Sequence, residues 1–391
     1  MTAVAVGRQP HESDLVKHLV QSVISDLHQR PAHWCVLLAS AHFEDELPAI
    51  AAEVYELLGP RAMIGTTAEW TIAGNVEYER QPAIVLFAGY MPEVRIGSFH
   101  ISQEDLLRLS SRRSWYEQLD LPSTARPNFV LLGDPFTANM QLLLHRLDNA
   151  WPRRPAIGGL ASAGEAPGQN IMIFDGHCLR HGICGIWLEG DVMMDTVVSQ
   201  GCRPIGRYFV ITEAQKNVIV ELGGKPPLSV VLETLQQCSP RELELIQAGD
   251  LLIGRVIDEN RPSFARGDFL IRHPIGFEKE SGAMMINDIV RTGQTVQFQV
   301  RDSAAADDDL ATLLAARQRR DVAGVLLFAC NSRGTRLFNT PSHDARAVAE
   351  VTGGAPLAGM FSAGEVGPIA RRNYLHGHTA SIAFFRPLHE D

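Results

Sequence analysis

Three times along the chain a short, wholly apolar run gives way to a segment with apolar residues every third or fourth position. A second apolar run then follows and ends in a turn. Val-Leu-Leu at 36–38, 130–132 and 325–327 is read each time as the end of the first run. The segments that follow carry Leu47, Ile50, Val54 and Leu57; then Met140, Leu143, Leu144 and Leu147; then Ala347, Val348 and Val351. The first runs read as buried strands and the middle segments as amphipathic helices. The turns after the second runs are Met63-Ile64-Gly65-Thr66-Thr67-Ala68-Glu69, Ile157 to Glu165, and Leu357 to Glu365, and the last two share Ser-Ala-Gly-Glu. Val36 to Gly65 and Val130 to Gly159 each span 29 positions, and Val325 to Gly359 spans 34. Strand, helix and strand at this spacing predict a βαβ unit with parallel strands and a right-handed crossover, present in three copies.

The pattern between the copies is different. Apolar runs at Ala83–Ala88, Ile171–Phe174 and Thr379–Phe385 follow the three turns and are expected to extend the sheets. Ser13 is a good N-cap for a helix carrying Leu15, Val16, Leu19, Val20, Val23, Ile24 and Leu27. Arg207 to Leu222 holds two apolar runs around a polar turn, which predicts a hairpin. Phe269 to Arg301 holds three strand-like runs. Helices are expected over Pro227–Gln237, Pro240–Gln247 and from Ala304 through Leu314. Gly223-Gly224-Lys225-Pro226-Pro227 interrupts both periodicities and suggests a boundary. The expected fold is therefore α/β: repeated βαβ-type units with parallel strands and antiparallel extensions, in two domains, 1–224 and 225–391.

Composition narrows the function. Hydrophobic residues are 45% and charged ones 20% of 391, an ordinary globular balance. With 35 basic and 45 acidic residues the net charge is −10. That argues against nucleic acid, whose phosphates need a basic face, and against an anionic membrane surface. No stretch approaches the ~20 apolar residues of a membrane span, and Met1 to Asp14 has no apolar signal core. Six cysteines are scattered with no CxxC pair, so a disulfide framework or zinc ribbon is not expected and a reducing cytoplasm fits.

Motif order in the repeats resembles that of the FIST family (F-box and intracellular signal transduction proteins). Copies one and two, with Gln200-Gly201-Cys202-Arg203-Pro204-Ile205-Gly206, resemble its N-terminal domain. Gly267 to Arg272, Val296 to Asp302 and the third copy resemble its C-terminal domain, through Phe328 to Gly334, Gly359 to Pro368 and Asn373-Tyr374-Leu375-His376. The resemblance spans about residues 30 to 387. It implies a sensory module that binds a small molecule, with amino acids suggested as ligands, and it supplies no catalytic residues. The first turn, Thr66-Thr67-Ala68-Glu69-Trp70, departs from the expected Ala-Gly-Glu, and no F-box-like region or kinase is fused here.

In parallel α/β sheets ligands sit beyond the carboxyl ends of strands, and glycines let backbone amides approach them. The candidates are therefore the loops at Ser40-Ala41-His42, Asp134-Pro135-Phe136 and Cys330-Asn331-Ser332-Arg333, with the three turns. Glu165 and Glu365 either close tight turns, or hold a ligand ammonium or position a water. Cys330 is a small apolar residue at a strand end, a ligand contact, or a nucleophile favoured by Arg333. Arg203 and Arg333 either form structural ion pairs or anchor a ligand carboxylate through the planar guanidinium. His376-Gly377-His378 alternates across a strand with no third ligand in view, so no metal is expected. P-loop, HExxH and Gly-x-Ser-x-Gly signatures are absent, and no cofactor is expected.

The sequence thus predicts a cytoplasmic sensor of a small polar molecule, an amino acid or related carboxylate. Ligand contacts are expected at Glu165, Arg203, Cys330, Asn331, Ser332, Arg333, Ser362, Gly364 and Glu365, and a signalling protein is the expected partner. The alternatives are an enzyme using Cys330 for acyl or amide chemistry and a ligand-less interaction scaffold. In the sharpest form of the expectation, Arg333 and Glu365 grip opposite ends of an amino acid.

Overall fold

A computed structural model describes residues 1–12, 14–317 and 321–388. The N-cap expected at Ser13 lies outside them. The chain forms two compact units. One comprises Met1–Val198, Ala311–Leu375 and Thr379–Asp391; the other comprises Ser199–Leu310 with His376–His378.

The first unit is built from the three copies. Copy one contains β1 (Thr2–Gly7), α1 (Leu15–Asp26), β2 (Trp34–Ser40), α2 (Leu47–Leu58), β3 (Ala62–Ala68), β4 (Thr71–Ala73), β5 (Val76–Tyr78) and β6 (Ile84–Gly89). Copy two contains β7 (Val94–Ile101), α3 (Gln103–Arg108), α4 (Arg112–Leu119), β8 (Asn128–Gly133), α5 (Met140–Ala150), β9 (Ala156–Leu160), β10 (Met172–Phe174), β11 (His177–Leu179) and β12 (Ile183–Gly190). Copy three begins with β13 (Met193–Gln200). The second unit follows, with β14 (Cys202–Pro204), β15 (Phe209–Gln215), β16 (Val218–Leu222), α6 (Pro227–Leu235), α7 (Pro240–Gln247), β17 (Leu251–Val256), β18 (Phe269–Arg272), β19 (Pro274–Phe277), β20 (Met284–Ile286) and β21 (Thr295–Arg301). The chain then passes through α8 (Ser303–Ala315), β22 (Gly324–Cys330), α9 (His343–Val351), β23 (Leu357–Ser362), β24 (Glu365–Ile369), β25 (Arg372–His376) and β26 (Thr379–Arg386).

In each copy the two strands of the predicted βαβ unit lie side by side and parallel: β2 with β3, β8 with β9, β22 with β23. One residue of register distinguishes the structural repeat from the sequence repeat. Leu37 stands opposite Gly65, Leu131 opposite Gly158 and Leu327 opposite Gly359. The counterpart of Val36-Leu37-Leu38 in copy three is thus Leu326-Leu327-Phe328, and the counterpart of Gly65 in copy two is Gly158, not Gly159. Strand side chains alternate faces, so this shift decides which residues point inward. Val36, Leu38, Val130, Leu132, Leu326 and Phe328 all enter one core shared by the inner faces of the three sheets.

The sheet orders are β1-β6-β2-β3-β10-β11, β7-β12-β8-β9-β24-β25 and β13-β26-β22-β23-β4-β5. Each sheet is therefore completed by a hairpin from another copy: copy two supplies β10–β11 to the first sheet, copy three β24–β25 to the second, copy one β4–β5 to the third. The run at 171–174 does extend a sheet, but copy one's rather than its own. The strand equivalent to β6 and β26 in copy two is β12, which the sequence reading passed over. On the outer faces α1 and α2 cover the first sheet and α3, α4 and α5 the second, each pairing forming its own apolar cluster.

The second unit is an antiparallel sheet of order β18-β17-β21-β15-β16-β20-β19, with β14 beside β21. The expected hairpin is β15–β16, and four strands rather than three fall within 269–301. Gly223 and Gly224, both at positive φ, turn the chain from β16 toward α6. No helix among the described residues is long and apolar enough to cross a membrane.

Candidate functional site

Polar side chains stand at or near the ends of the parallel strands in all three copies, and the copies differ in how those are satisfied. In copy one Ser40 Oγ accepts the Ala83 N–H at 3.1 Å, and the Thr66 hydroxyl donates to the Ile171 carbonyl at 3.0 Å. In copy two Asp134 is buried, accepting from Thr137 Oγ1 at 2.5 Å and Asn170 Nδ2 at 3.0 Å. Ser162 accepts the Glu69 N–H at 2.9 Å and donates to the Phe361 carbonyl at 2.6 Å, so one hydroxyl ties together three copies.

Copy three is different. Cys330 and Ser362 form the last pair of β22 and β23. Three residues beyond Ser362 the chain enters β24, where Glu365 stands opposite Gly159 of β9. Ser362 and Glu365 are completely buried and Cys330 is nearly so. Glu365 Oε2 accepts both the Thr379 N–H at 3.1 Å and the Thr379 hydroxyl at 2.8 Å, while Oε1 takes neither; the Cys330 thiol, a weak donor, also hydrogen-bonds the carboxyl. Burial pushes this carboxyl up to about 8, against the opposing pull of the Thr379 donors, the Arg333 charge and the neighbouring Cys330 thiol. The Cys330 sulfur accepts the Ser332 hydroxyl at 3.1 Å.

Arg333 is 0% exposed, and its Nε and Nη2 bind Asp344 Oδ2 and Oδ1 at 2.6 and 2.8 Å. The guanidinium lies 5.2 Å over the Phe338 ring, which stacks on His343 at 3.5 Å. Arg333 beside it holds the Asp344 carboxyl well below the usual range despite burial. Behind this pair, Glu77 on β5 accepts the Ala345 N–H at 3.0 Å, and burial, with Asp344 nearby, raises its carboxyl to about 7.

Buried polar atoms seldom go without partners. Among the described residues eleven buried side-chain atoms do, and six of them are Thr71 Oγ1, Glu77 Oε2, Arg333 Nη1, Ser362 Oγ, Glu365 Oε1 and Ser381 Oγ. All six belong to the third sheet, the loop after β22 or the start of β24. They are not all in one place: Thr71 and Ser381 stand three strands apart in one row of the third sheet, whereas Ser362 pairs with Cys330 at the strand ends, and Arg333 acts on Glu365 through its charge.

The structure brings Cys330, Asn331, Ser332, Arg333, Ser362, Gly364 and Glu365 to one strand-end region. Asn331 donates its N–H to the Ser362 carbonyl at 2.9 Å, and the Gly364 carbonyl accepts from Leu160 N–H at 2.8 Å, which joins the loops into one frame. Glu165 lies apart in character: it is exposed, and its N–H is bound by Gln169 Oε1 at 2.7 Å. The same Ser-Ala-Gly-Glu is thus an open loop in copy two and a strand entry in copy three. Arg203 is in the second unit, bound to Glu242 at 2.7 Å and Asp302 at 3.5 Å. The paired face of Arg333 expected to grip a ligand carboxylate is already occupied by Asp344; only Nη1 remains open.

Sequence reasoning missed Thr379, Ser381 and Asp344. The first two alternate with Ala383 and Phe385 on the inner face of β26, a period-two signal that could have placed them. Nothing in the spacing marks Asp344 as the partner of Arg333.

The FIST N domain model matches residues 33–225 and the FIST C domain model residues 227–368. An uncharacterized protein of Mycobacterium bovis, Mb0898c, is 40% identical over 355 residues, 90% of this chain and 89% of its own. The uncharacterized protein Rv0628c of Mycobacterium tuberculosis is 40% identical over 353 residues, 90% of both chains. A crystal structure of cyanuric acid hydrolase from A. caulinodans aligns over 99% of both chains, at 8% identity and a TM-score of 0.38, too low to inform fold or function. With both domain models in order over most of its length, the chain belongs to the FIST family, whose domains are associated with signal transduction and small-ligand sensing.

Proposed function

We propose that this protein is a cytoplasmic sensor that binds a small carboxylate, an amino acid or a related acid, at the strand ends of copy three, and passes the signal to a protein partner. The observation that carries the reading is the set of buried, unpartnered polar atoms at Arg333, Ser362 and Glu365, against the satisfied strand ends of copies one and two. An unfilled hydrogen bond on a buried group costs roughly 1–3 kcal/mol, so several in one place favour a ligand that completes them. The cytoplasmic part rests on the scattered cysteines, and the signalling part on the family.

A thermal-shift screen of amino acids, keto acids and small carboxylates tests it. A ligand at ~1,000 times its Kd stabilises the fold by ~4 kcal/mol. Ser362→Ala should lose the shift while its unliganded stability stays within about 1 kcal/mol of the parent. A full shift retained by Ser362→Ala and by Glu365→Ala would place the ligand elsewhere.

A further inference from the structure

We propose that Glu365 meets the ligand as a hydrogen-bond donor, through a proton on Oε1, so that the site accepts a carboxylate or carbonyl oxygen and not an ammonium group. The inference rests on the reading that the ligand site is at the end of β23. Its geometric basis is the unequal use of the two carboxyl oxygens. Both Thr379 donors converge on Oε2, which fixes that oxygen as an acceptor, and Oε1 receives neither of them, with the Cys330 thiol, a weak donor, as the carboxyl's further hydrogen-bonding neighbour. A protonated carboxyl offers one O–H donor, and here the open oxygen is the one able to carry it.

The neighbours agree in sign. Arg333 Nη1 can only donate, and the Ser362 hydroxyl is an available donor. Arg333 is already neutralised by Asp344. An anionic ligand beside an ionised Glu365 would therefore place two negative charges in a buried site with no net positive charge to offset them. A proton on Oε1 removes one of those charges and gives the other, still on the ligand, a hydrogen bond to accept. Burial keeps the carboxyl neutral up to about pH 8. The titratable groups around it are Cys330 on β22, Arg333 with Asp344 of α9, and Glu77 on β5 behind them. On β9 it faces Gly159, on β26 Thr379 and no ionisable group, and the adjoining β25 carries Arg372, Tyr374 and His376.

The experiment uses the full chain, with sodium acetate and methylammonium chloride as probes against sodium chloride at equal ionic strength. Binding is followed by thermal shift and calorimetry at about pH 6.5 and about pH 9.5. The expected result is that acetate stabilises the protein at the lower pH and methylammonium does not. Acetate affinity should then weaken about tenfold per pH unit once Glu365 titrates. Glu365→Gln, which keeps a donor and cannot ionise, should bind acetate equally at both values. Methylammonium binding that rises with pH and is abolished by Glu365→Gln would overturn the inference while leaving the site in place. Acetate binding with no pH dependence in the parent would also overturn it, and needs no variant to fold. If no probe binds the parent, or if Ser362→Ala and Glu365→Ala bind acetate as the parent does, the site reading fails and takes the inference with it.

Discussion

Arg333 and Asp344 meet where neither can reach water, so each is tolerable only because of the other. Asp344→Ala should cost about 3–5 kcal/mol, because it strands a buried guanidinium. Replacing both, with Arg333→Met and Asp344→Leu, should recover most of that loss, since apolar residues of similar volume need no partner. Urea unfolding of the three variants measures both effects; a loss under about 1 kcal/mol for Asp344→Ala would mean the pair is not the structural clasp its geometry indicates. Glu365 acts in the opposite sense. Its carboxyl titrates at about 8 in the fold and near its ordinary 4.5 once unfolded, so between those values the unfolded chain sheds a proton the native chain retains. Stability should therefore fall as pH rises from about 5 to about 8 and level off above. In Glu365→Gln the fall should be shallower, with a remainder from Glu77, which titrates at about 7. Arg333 and Glu365 were both visible in the sequence as polar residues at strand ends. Their roles were not, because these depend on Asp344, eleven residues on in another element, and on Thr379, which opens a distant strand.

At the scale of elements, the three βαβ units were legible because strand–helix–strand periodicity is local and few topologies satisfy it. The short hairpins were not. Strands of three residues, such as β4, β5, β10 and β11, are too brief for alternation to register, and their partners belong to other copies. The one-residue offset of the Val-Leu-Leu motif has the same origin: identical letters recur in the sequence, while the register is set by which glycine passes the neighbouring carbonyl. A Cβ on Gly65, Gly158 or Gly359 would collide with the carbonyl oxygen of Leu37, Leu131 or Leu327. Gly359→Ala should accordingly destabilise the protein by about 1–3 kcal/mol or more, through backbone displacement in a packed sheet. Gly377→Ala makes no such collision and needs no positive φ, so it serves as the control. Equal unfolding midpoints for parent and Gly359→Ala would refute the close-approach argument.

At the scale of the first unit, three sheets share one inner core and lend hairpins in a closed cycle. Loosening any one sheet removes the seat of another copy's hairpin, so the three should unfold together. Leu38→Ala, Leu132→Ala and Phe328→Ala, each expected to cost about 2–5 kcal/mol, should lower a single common transition. Amide exchange in β2, β8 and β22 should accelerate together in each variant; acceleration confined to the mutated sheet would contradict the shared core. The same cycle bears on the order in which the protein can be made. The seat of the β4–β5 hairpin is β23, where Ala73 pairs with Ala358 and Thr71 with Met360. A ribosome adds roughly 5–20 residues per second, so the hairpin emerges many seconds before its seat exists. During that interval Ile72, buried in the finished protein, pairs with Glu77 of its own hairpin but lacks Gly359 of β23 on its other side. A nascent chain halted before β22 should hold this hairpin in a protease-sensitive state, and sensitivity should vanish only when β23 clears the exit tunnel. The last of the three copies to be synthesised thus releases the first from its wait.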